Sequence, residues 1–258
     1  MTRRLLKWIG VTILILLAVP IAAIALVLIV ANVDPGRRFI ETETASVTGG
    51  MVRIAGLSGR FPDHLRASRI EVSDAKGPYV TISDLVLDWS PLQLLRRNAV
   101  IDQLQAAAVD VARLPESGAS QTSSSSGSFD LPVRVDLRHL HIDRAIIGEP
   151  VAGVAATLAL DGSGNLPTLT EGTVQLDANR LDNPGHYAVA GQITPDAIRA
   201  TIKADEPAKG LISGIAKLPD LGAIAIQASV DGPKSAMATQ VGVSAGALTA
   251  SASGTVDL

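Results

Sequence analysis

Leu131-Pro-Val-Arg-Val-Asp-Leu-Arg138 is the stretch that decides the fold class of this chain. Its charged residues alternate with its aliphatic residues, which are Leu131, Val133, Val135 and Leu137. A period of two is typical of a β-strand that has one apolar and one polar face. The sequence therefore predicts a mainly β protein whose strands each present an aliphatic side.

The same alternation continues on both sides of this stretch. Leu85, Leu87 and Trp89 share one face of a strand predicted over residues 79–89, and Leu158 and Leu160 share a face of a later strand. Other predicted strands cover residues 51–54, 67–72, 100–113, 173–176, 187–193, 198–204, 211–218, 223–230, 238–243 and 248–258. Short helices are predicted over residues 34–46 and 92–97, where Asp34-Pro35 and Ser90-Pro91 provide helix-start signals.

An uncharged apolar run covers residues 8–31 and predicts a transmembrane helix. The run is too long for the apolar region of a cleaved signal peptide, so we expect an uncleaved anchor within residues 1–33. Arg3, Arg4 and Lys7 precede it and are expected to hold the N-terminus in the cytoplasm. The predicted anchor residues are Trp8, Ile9, Leu14, Leu17, Ile21, Leu28 and Val30.

Composition divides the remainder of the chain into three segments. A β module with short helices is predicted over residues 34–115, a serine-rich linker over 116–130, and a repetitive β segment over 131–258. Because the last predicted strand has no cap, we expect the chain to be a fragment of a longer protein. Aromatic residues are only 3% of the chain, which favours thin, repetitive sheets over a thick core.

The sequence contains no constellation of residues that indicates catalysis, a metal or a cofactor. Cysteine is absent, and the net charge of −3 gives no general attraction to nucleic acid. His139 and His141 have the spacing of two ligands on one strand face, but no third ligand is apparent. We therefore expect a protein that is not an enzyme.

Residues 49–115 carry several strings in a characteristic order. These are Gly49-Gly-Met-Val-Arg-Ile54, Leu57-Ser-Gly-Arg-Phe-Pro62, Ile70-Glu-Val-Ser-Asp-Ala-Lys-Gly77, Leu87-Asp-Trp-Ser-Pro91 and Arg113-Leu-Pro115. After a single N-terminal anchor, this order resembles the start of TamB-type translocation and assembly module proteins, which belong to the AsmA-like group.

This resemblance implies an inner-membrane protein whose bulk lies in the periplasm and whose fold is a long, apolar β-taco groove. It implies roles in outer-membrane protein assembly and secretion and in phospholipid transport between the membranes. It also implies a partner, the BamA-like outer-membrane barrel TamA. Family members are several times longer, and the region that binds TamA has no counterpart in this chain.

The aliphatic strand faces can be explained in two ways. They can pack into a closed sandwich or barrel, or they can line an open trough that holds lipid acyl chains. In the second case the lipid-facing residues would be Leu85, Leu87, Trp89, Val133, Val135, Leu158 and Leu160. A structural scaffold for outer-membrane protein assembly, with no lipid cargo, is the alternative function.

Overall fold

The computed structural model describes residues 32–116, 134–168 and 170–257. Strands dominate these residues and form one large mixed sheet, which confirms the prediction of a mainly β protein. The helices are α1 (Asp34–Val47), the 3-10 helix η1 (Pro91–Arg96), α2 (Glu149–Ala152) and α3 (Leu211–Ile215). The strands are β1 (Val52–Arg60), β2 (His64–Asp74), β3 (Gly77–Trp89), β4 (Asn98–Ala106), β5 (Ala108–Val111), β6 (Arg134–Ile147), β7 (Ala156–Leu166), β8 (Gly172–Arg180), β9 (His186–Ile193), β10 (Ala197–Glu206), β11 (Ile224–Pro233), β12 (Met237–Ala245) and β13 (Leu248–Val256).

The order of strands in the sheet follows the order of the chain. Strands β4 and β5 are two halves of one position and lie between β3 and β6. Both halves pair in parallel with β6, whereas the other pairings between described strands are antiparallel. The sheet is therefore continuous from the predicted 34–115 module into the predicted 131–258 segment.

A line of irregular backbone crosses strands β1 to β5. Gly56 has a φ of +67°, Asp84 has a φ of +50°, and Ala107 separates β4 from β5. A Cβ on Gly56 would lie 2.4 Å from the Ser68 hydroxyl oxygen, so both the φ and the space require glycine. Along each strand, less exposed and more exposed residues alternate, and this alternation shifts by one residue where the strand crosses the line.

This change of phase keeps the less exposed side chains together. In β1 the less exposed residues are Val52 and Ile54 before the line and Leu57 after it. In β2 they include Leu65 and Ala67 before it and Ile70 and Val72 after it. The same side of the sheet is therefore apolar on both sides of the irregular line.

The helix predictions had mixed outcomes. The predicted helices near residues 34–46 and 92–97 are confirmed as α1 and η1. The strand predicted over 211–218 is wrong, because residues 211–215 form α3. Helix α2 lies in a segment for which no helix was predicted. Both unexpected helices connect strand ends, where tertiary contacts override local patterning.

Helix α1 lies along the outer side of β1, at one edge of the sheet. Arg37 donates a hydrogen bond to the Gly59 carbonyl oxygen at 2.8 Å. The Asn32 amide bonds both the N–H and the carbonyl oxygen of Phe61 at 2.8 Å. Side chains near and within α1 therefore occupy backbone groups that an additional strand would otherwise bond.

Several predictions fall outside the described residues. The anchor run 8–31, Leu131, Val133 and the linker beyond Glu116 are in this class. Within 32–116, 134–168 and 170–257, no helix has both the length and the hydropathy that crossing a bilayer requires.

Candidate functional site

A row of aliphatic and small side chains crosses the whole sheet. Residues that are directly paired on neighbouring strands point to the same face, so the register defines the row. The row runs through Gly59, Leu65, Leu87, Leu104, Leu140, Gly162, Leu176, Val189, Ile202, Ala228, Val241 and Ala252. With strands about 4.8 Å apart, these 12 positions extend over roughly 50 Å. We call this side of the sheet the apolar face.

A second row on the apolar face lies two residues along each strand. It passes through Ala106, Ile142, Leu160, Ala178, Tyr187, Ala204, Ile226, Val243 and Ala250. On the N-terminal strands, Leu57, Ala67 and Leu85 are paired with one another in the same manner. Tyr187 is the one residue of this row, among the described positions, that carries a polar group.

The opposite face is polar at the same level of the sheet. Its paired residues from β4 to β13 are Gln105, His141, Asp161, Asp177, Ala188, Lys203, Gln227, Gly242 and Ser251. The contrast between the two faces extends from β4 to β13 and is not confined to a single strand. Exposure to water is therefore favourable for the polar face and costs free energy at the apolar face.

Much of the apolar face is open to solvent. Leu176 and Val189 are each 37% exposed and Ile202 is 45% exposed, although all three are central in their strands. No described side chain larger than alanine is less than 2% exposed. An ordinary sheet protein covers such a face with a second layer, so the uncovered row is the feature that requires explanation.

One end of the apolar face is covered by the short helices α2 and α3. Ala145, Leu158 and Ala178 of the sheet are buried together with Ala152 of α2 and Leu211 of α3. The helices touch each other through glycine, since a Cβ on Gly214 would lie 2.3 Å from the Ala152 carbonyl oxygen. This helix pair closes the face at the ends of β6, β7 and β8, with Tyr187 of β9 packed against the same cluster.

A buried carboxylate joins α3 to the sheet. Glu206, which is 5% exposed, accepts hydrogen bonds from the Tyr187 hydroxyl at 2.8 Å and from the Ile212 amide at 2.9 Å. The backbone amide and the hydroxyl of Ser213 also donate to it. Burial, followed by the neighbouring Glu206, raises the pKa of Tyr187 to about 12. This polar group therefore serves the covered end and is not free for chemistry.

Five of the seven predicted lipid-facing residues separate into three groups. Leu85, Leu87 and Leu160 lie on the apolar face and are half-buried. Leu158 also lies there but is buried beneath the helix pair, so its part of the face is closed. Val135 pairs with Ala99 and Leu166 towards the other end of the strands.

Trp89 forms local hydrogen bonds at the end of β3. Its ring nitrogen donates a 2.6 Å hydrogen bond to the Pro62 carbonyl oxygen, and its backbone amide donates to Asp63. Val133 lies outside the described residues. The most exposed large aliphatic residues of the row, Leu176, Val189 and Ile202, were not among the predicted residues. Each alternates within a predicted strand, but only the register shows that they are aligned.

The histidines of β6 contact carboxylates and backbone on the polar side of the sheet. His141 bonds Asp161 through Nδ1 at 2.6 Å and Asp143 through Nε2 at 2.9 Å. The carboxylate of Asp161, followed by that of Asp143, raises the pKa of His141. His139 instead contacts the Asp102 carbonyl oxygen at 3.2 Å. Within the described part of the chain, no group of three or more potential ligands is placed to hold a metal ion.

Comparison with known proteins adds no relative from which function can be transferred. Searches of protein-family models, of curated proteins and of solved structures find no match to this chain. Membership of the TamB-type family is therefore a proposal. It is supported by the sequence strings in residues 49–115 and by the one-sided chemistry of the sheet.

Proposed function

We propose that this protein is a TamB-like, inner-membrane-anchored periplasmic protein whose apolar face holds phospholipid acyl chains. The sheet would form part of a groove for phospholipid transport between the inner and outer membranes, and would support outer-membrane protein assembly. The observation that carries the proposal is the row of aliphatic and small residues that crosses 12 strands and is open to solvent at Leu176, Val189 and Ile202.

The chemistry of the row suits a hydrocarbon chain. Leu176, Val189 and Ile202 offer aliphatic surface and no polar group that an acyl chain would leave unsatisfied. Burial of an acyl chain gains about 0.8 kcal/mol per CH₂, so even a partial covering of the row offsets much of the cost of leaving a bilayer. A continuous row also offers a moving chain similar contacts at each strand.

The inner-membrane location rests on sequence. Residues 8–31 contain no charge, and Arg3, Arg4 and Lys7 precede them. The described part of the chain begins at Asn32, which bonds Phe61 at the edge of the sheet. An anchor that ends at residue 31 would therefore hold this edge close to the membrane.

Site-specific photocrosslinking in cells tests lipid binding. A photoreactive amino acid replaces Ile202, which is 45% exposed on the apolar face, and labelled phospholipid provides the readout. The matched control is Lys203, the next residue, which is also exposed but lies on the polar face. Ile202 is a better probe than Leu158, because Leu158 is buried under the helix pair.

Comparison of the adducts at these two positions decides whether the apolar face holds lipid. We expect a phospholipid adduct at Ile202 and none at Lys203. Equal labelling at both positions, or no labelling at either in a chain that is folded and membrane-bound, would exclude a lipid-holding face at this level of the sheet.

The alternative, a scaffold for outer-membrane proteins that carries no lipid, makes a different prediction for the same experiment. Crosslinks from Ile202 or Lys203 to unfolded barrel proteins, without lipid adducts at Ile202, would support the scaffold.

A further inference from the structure

Helix η1 exposes three leucine side chains, two of them almost completely. Leu92 is 79% exposed, Leu95 is 85% exposed and Leu94 is 41% exposed. All three lie within one short 3-10 helix between β3 and β4. Three exposed leucines so close together form a local apolar patch, whereas single exposed leucines are common on protein surfaces.

Arginine side chains surround this patch and make no ion pair with another described residue. Arg96 and Arg97 follow the leucines directly, and the Arg97 carbonyl oxygen accepts a 2.8 Å hydrogen bond from the Arg134 amide. Arg96, Arg97 and Arg134 are all exposed. Asp102 and Asp136, the nearest carboxylates on the adjacent strands by register, form their ion pairs with Arg138 instead.

The patch lies at the end of the sheet where the apolar N-terminal run joins the described chain. Asn32 bonds Phe61, and the following turn bonds Trp89 through the carbonyl oxygens of Pro62 and Asp63. Trp89 is separated from η1 by Ser90 alone. A short path of hydrogen bonds therefore connects residue 32 to η1.

We propose that η1 is a membrane contact that inserts its leucines into the interface of the anchoring bilayer and places its arginines on anionic headgroups. Amphipathic segments bind membrane surfaces in this way, with aliphatic side chains below the headgroups and basic side chains among them. The inference rests on the anchor of the proposed function but does not depend on lipid binding by the apolar face.

The bilayer fits this surface better than a folded protein partner does. The leucines project from a single short helix and not from a broad face. The charged side chains beside them that form no ion pair within the described part of the chain, Arg96, Arg97 and Arg134, are all positive. With the anchor, η1 would provide a second point of attachment. Two points of attachment restrict the tilt of the sheet against the membrane, whereas a single anchor allows it to swing.

Depth measurements in vesicles test the contact. The chain has no cysteine, so Leu95→Cys in the full chain accepts an environment-sensitive fluorophore at one position. The chain is reconstituted into vesicles of phosphatidylethanolamine with a minority of phosphatidylglycerol. The matched control is Ile215→Cys, an aliphatic residue that is 67% exposed in short helix α3 at the opposite end of the strands.

We expect blue-shifted emission and quenching by nitroxide-labelled lipid at position 95, about twofold or more above that at position 215. Quenching by aqueous iodide should be stronger at position 215. Arg96→Glu should reduce the lipid quenching at position 95 by about twofold, and Lys217→Glu, the same charge change near α3, should not reduce it.

Two results would overturn the proposal, and they have different meanings. If the chain floats with the vesicles but position 95 is as accessible to iodide as position 215, η1 does not touch the bilayer and the anchor stands. If the chain does not float with the vesicles, the anchor and this contact both fail. The crosslinking at Ile202 reports separately on lipid binding by the apolar face.

Discussion

Glu41 and Leu57 are 16 residues apart in sequence, and the Glu41 carboxylate accepts a 2.7 Å hydrogen bond from the Leu57 backbone amide. The contact joins helix α1 to the free side of edge strand β1. Together with Arg37 at Gly59 and Asn32 at Phe61, it gives a hydrogen-bond partner to two alternate residues of β1 and to the residue that follows the strand. The helix thus takes the place of a neighbouring strand at this edge.

Loss of the Glu41 carboxylate should expose the Leu57 amide. In Glu41→Ala, we expect hydrogen exchange at Leu57 to become faster by about tenfold, since a net hydrogen bond to a charged group contributes on the order of 1.5–3 kcal/mol. Glu43→Ala is the control, because Glu43 is exposed on the same helix. Similar exchange rates at Leu57 in both variants would show that α1 does not protect the edge.

Leucine and isoleucine on the apolar face should differ in their contribution to stability. Leu158→Ala should lower the free energy of unfolding by about 2–4 kcal/mol, because the side chain is 5% exposed beneath α2 and α3. Ile202→Ala should lower it by less than about 1 kcal/mol, because Ile202 is 45% exposed. Urea unfolding of the solubilised full chain, followed by circular dichroism, measures both. Equal losses of unfolding free energy in the two variants would indicate that the apolar face is also covered at Ile202 in solution.

The contact between α2 and α3 should tolerate no side chain at Gly214. In Gly214→Val, a Cβ 2.3 Å from the Ala152 carbonyl oxygen must push the two helices apart, at a cost of about 1–3 kcal/mol. Gly254→Val is the control, since no atom lies within 4 Å of a Cβ built there. Thermal unfolding compares the variants. A Gly214→Val protein as stable as Gly254→Val would contradict the closed end.

His141 should titrate above its ordinary pKa of 6.5, because Asp161 and Asp143 favour its protonated form. Its contribution to stability is fully present below pH 6.5 and is lost as the pH rises through the higher folded-state pKa. The contribution should be small, since the side chain is 41% exposed to screening solvent.

An NMR titration of the His141 ring in the native chain and in Asp161→Asn tests this assignment. We expect the pKa of His141 to fall towards 6.5 in Asp161→Asn and to be unchanged in Asp88→Asn, which removes a carboxylate that contacts His64. An identical pKa of His141 in the native chain and in Asp161→Asn would exclude the pairing as its cause.

The period-two pattern was sufficient to predict most strands of this fold. It worked because each strand has one face towards water and one towards aliphatic neighbours, as at Leu85 and Leu87. The pattern gave a wrong prediction at residues 211–215, which form a helix and not a strand. Their helix begins where the Glu206 carboxylate accepts the amides of Ile212 and Ser213, and local sequence does not show such a tertiary contact.

The candidate site was predicted only in part, because a single sequence does not show register. Leu176, Val189 and Ile202 belong to three different strands, and their alignment depends on the pairing between those strands. Leu158 and Leu160 look equivalent in sequence, yet the helix pair buries the first more fully. The period-two pattern therefore predicted an aliphatic sheet face, but it did not show which parts of that face are exposed to solvent.

The parallel pairing of β4 and β5 with β6 determines what a break in the chain would do. Val111 at the end of β5 lies beside Ile147, whereas Arg134 at the start of β6 lies beside Asn98, so these two strand ends are roughly 40 Å apart. The hydrogen bonds of this seam hold the two halves side by side, independently of the covalent connection. Two polypeptides, residues 1–116 and 134–258, should consequently be able to reassemble as a split protein, so each half can carry its own label.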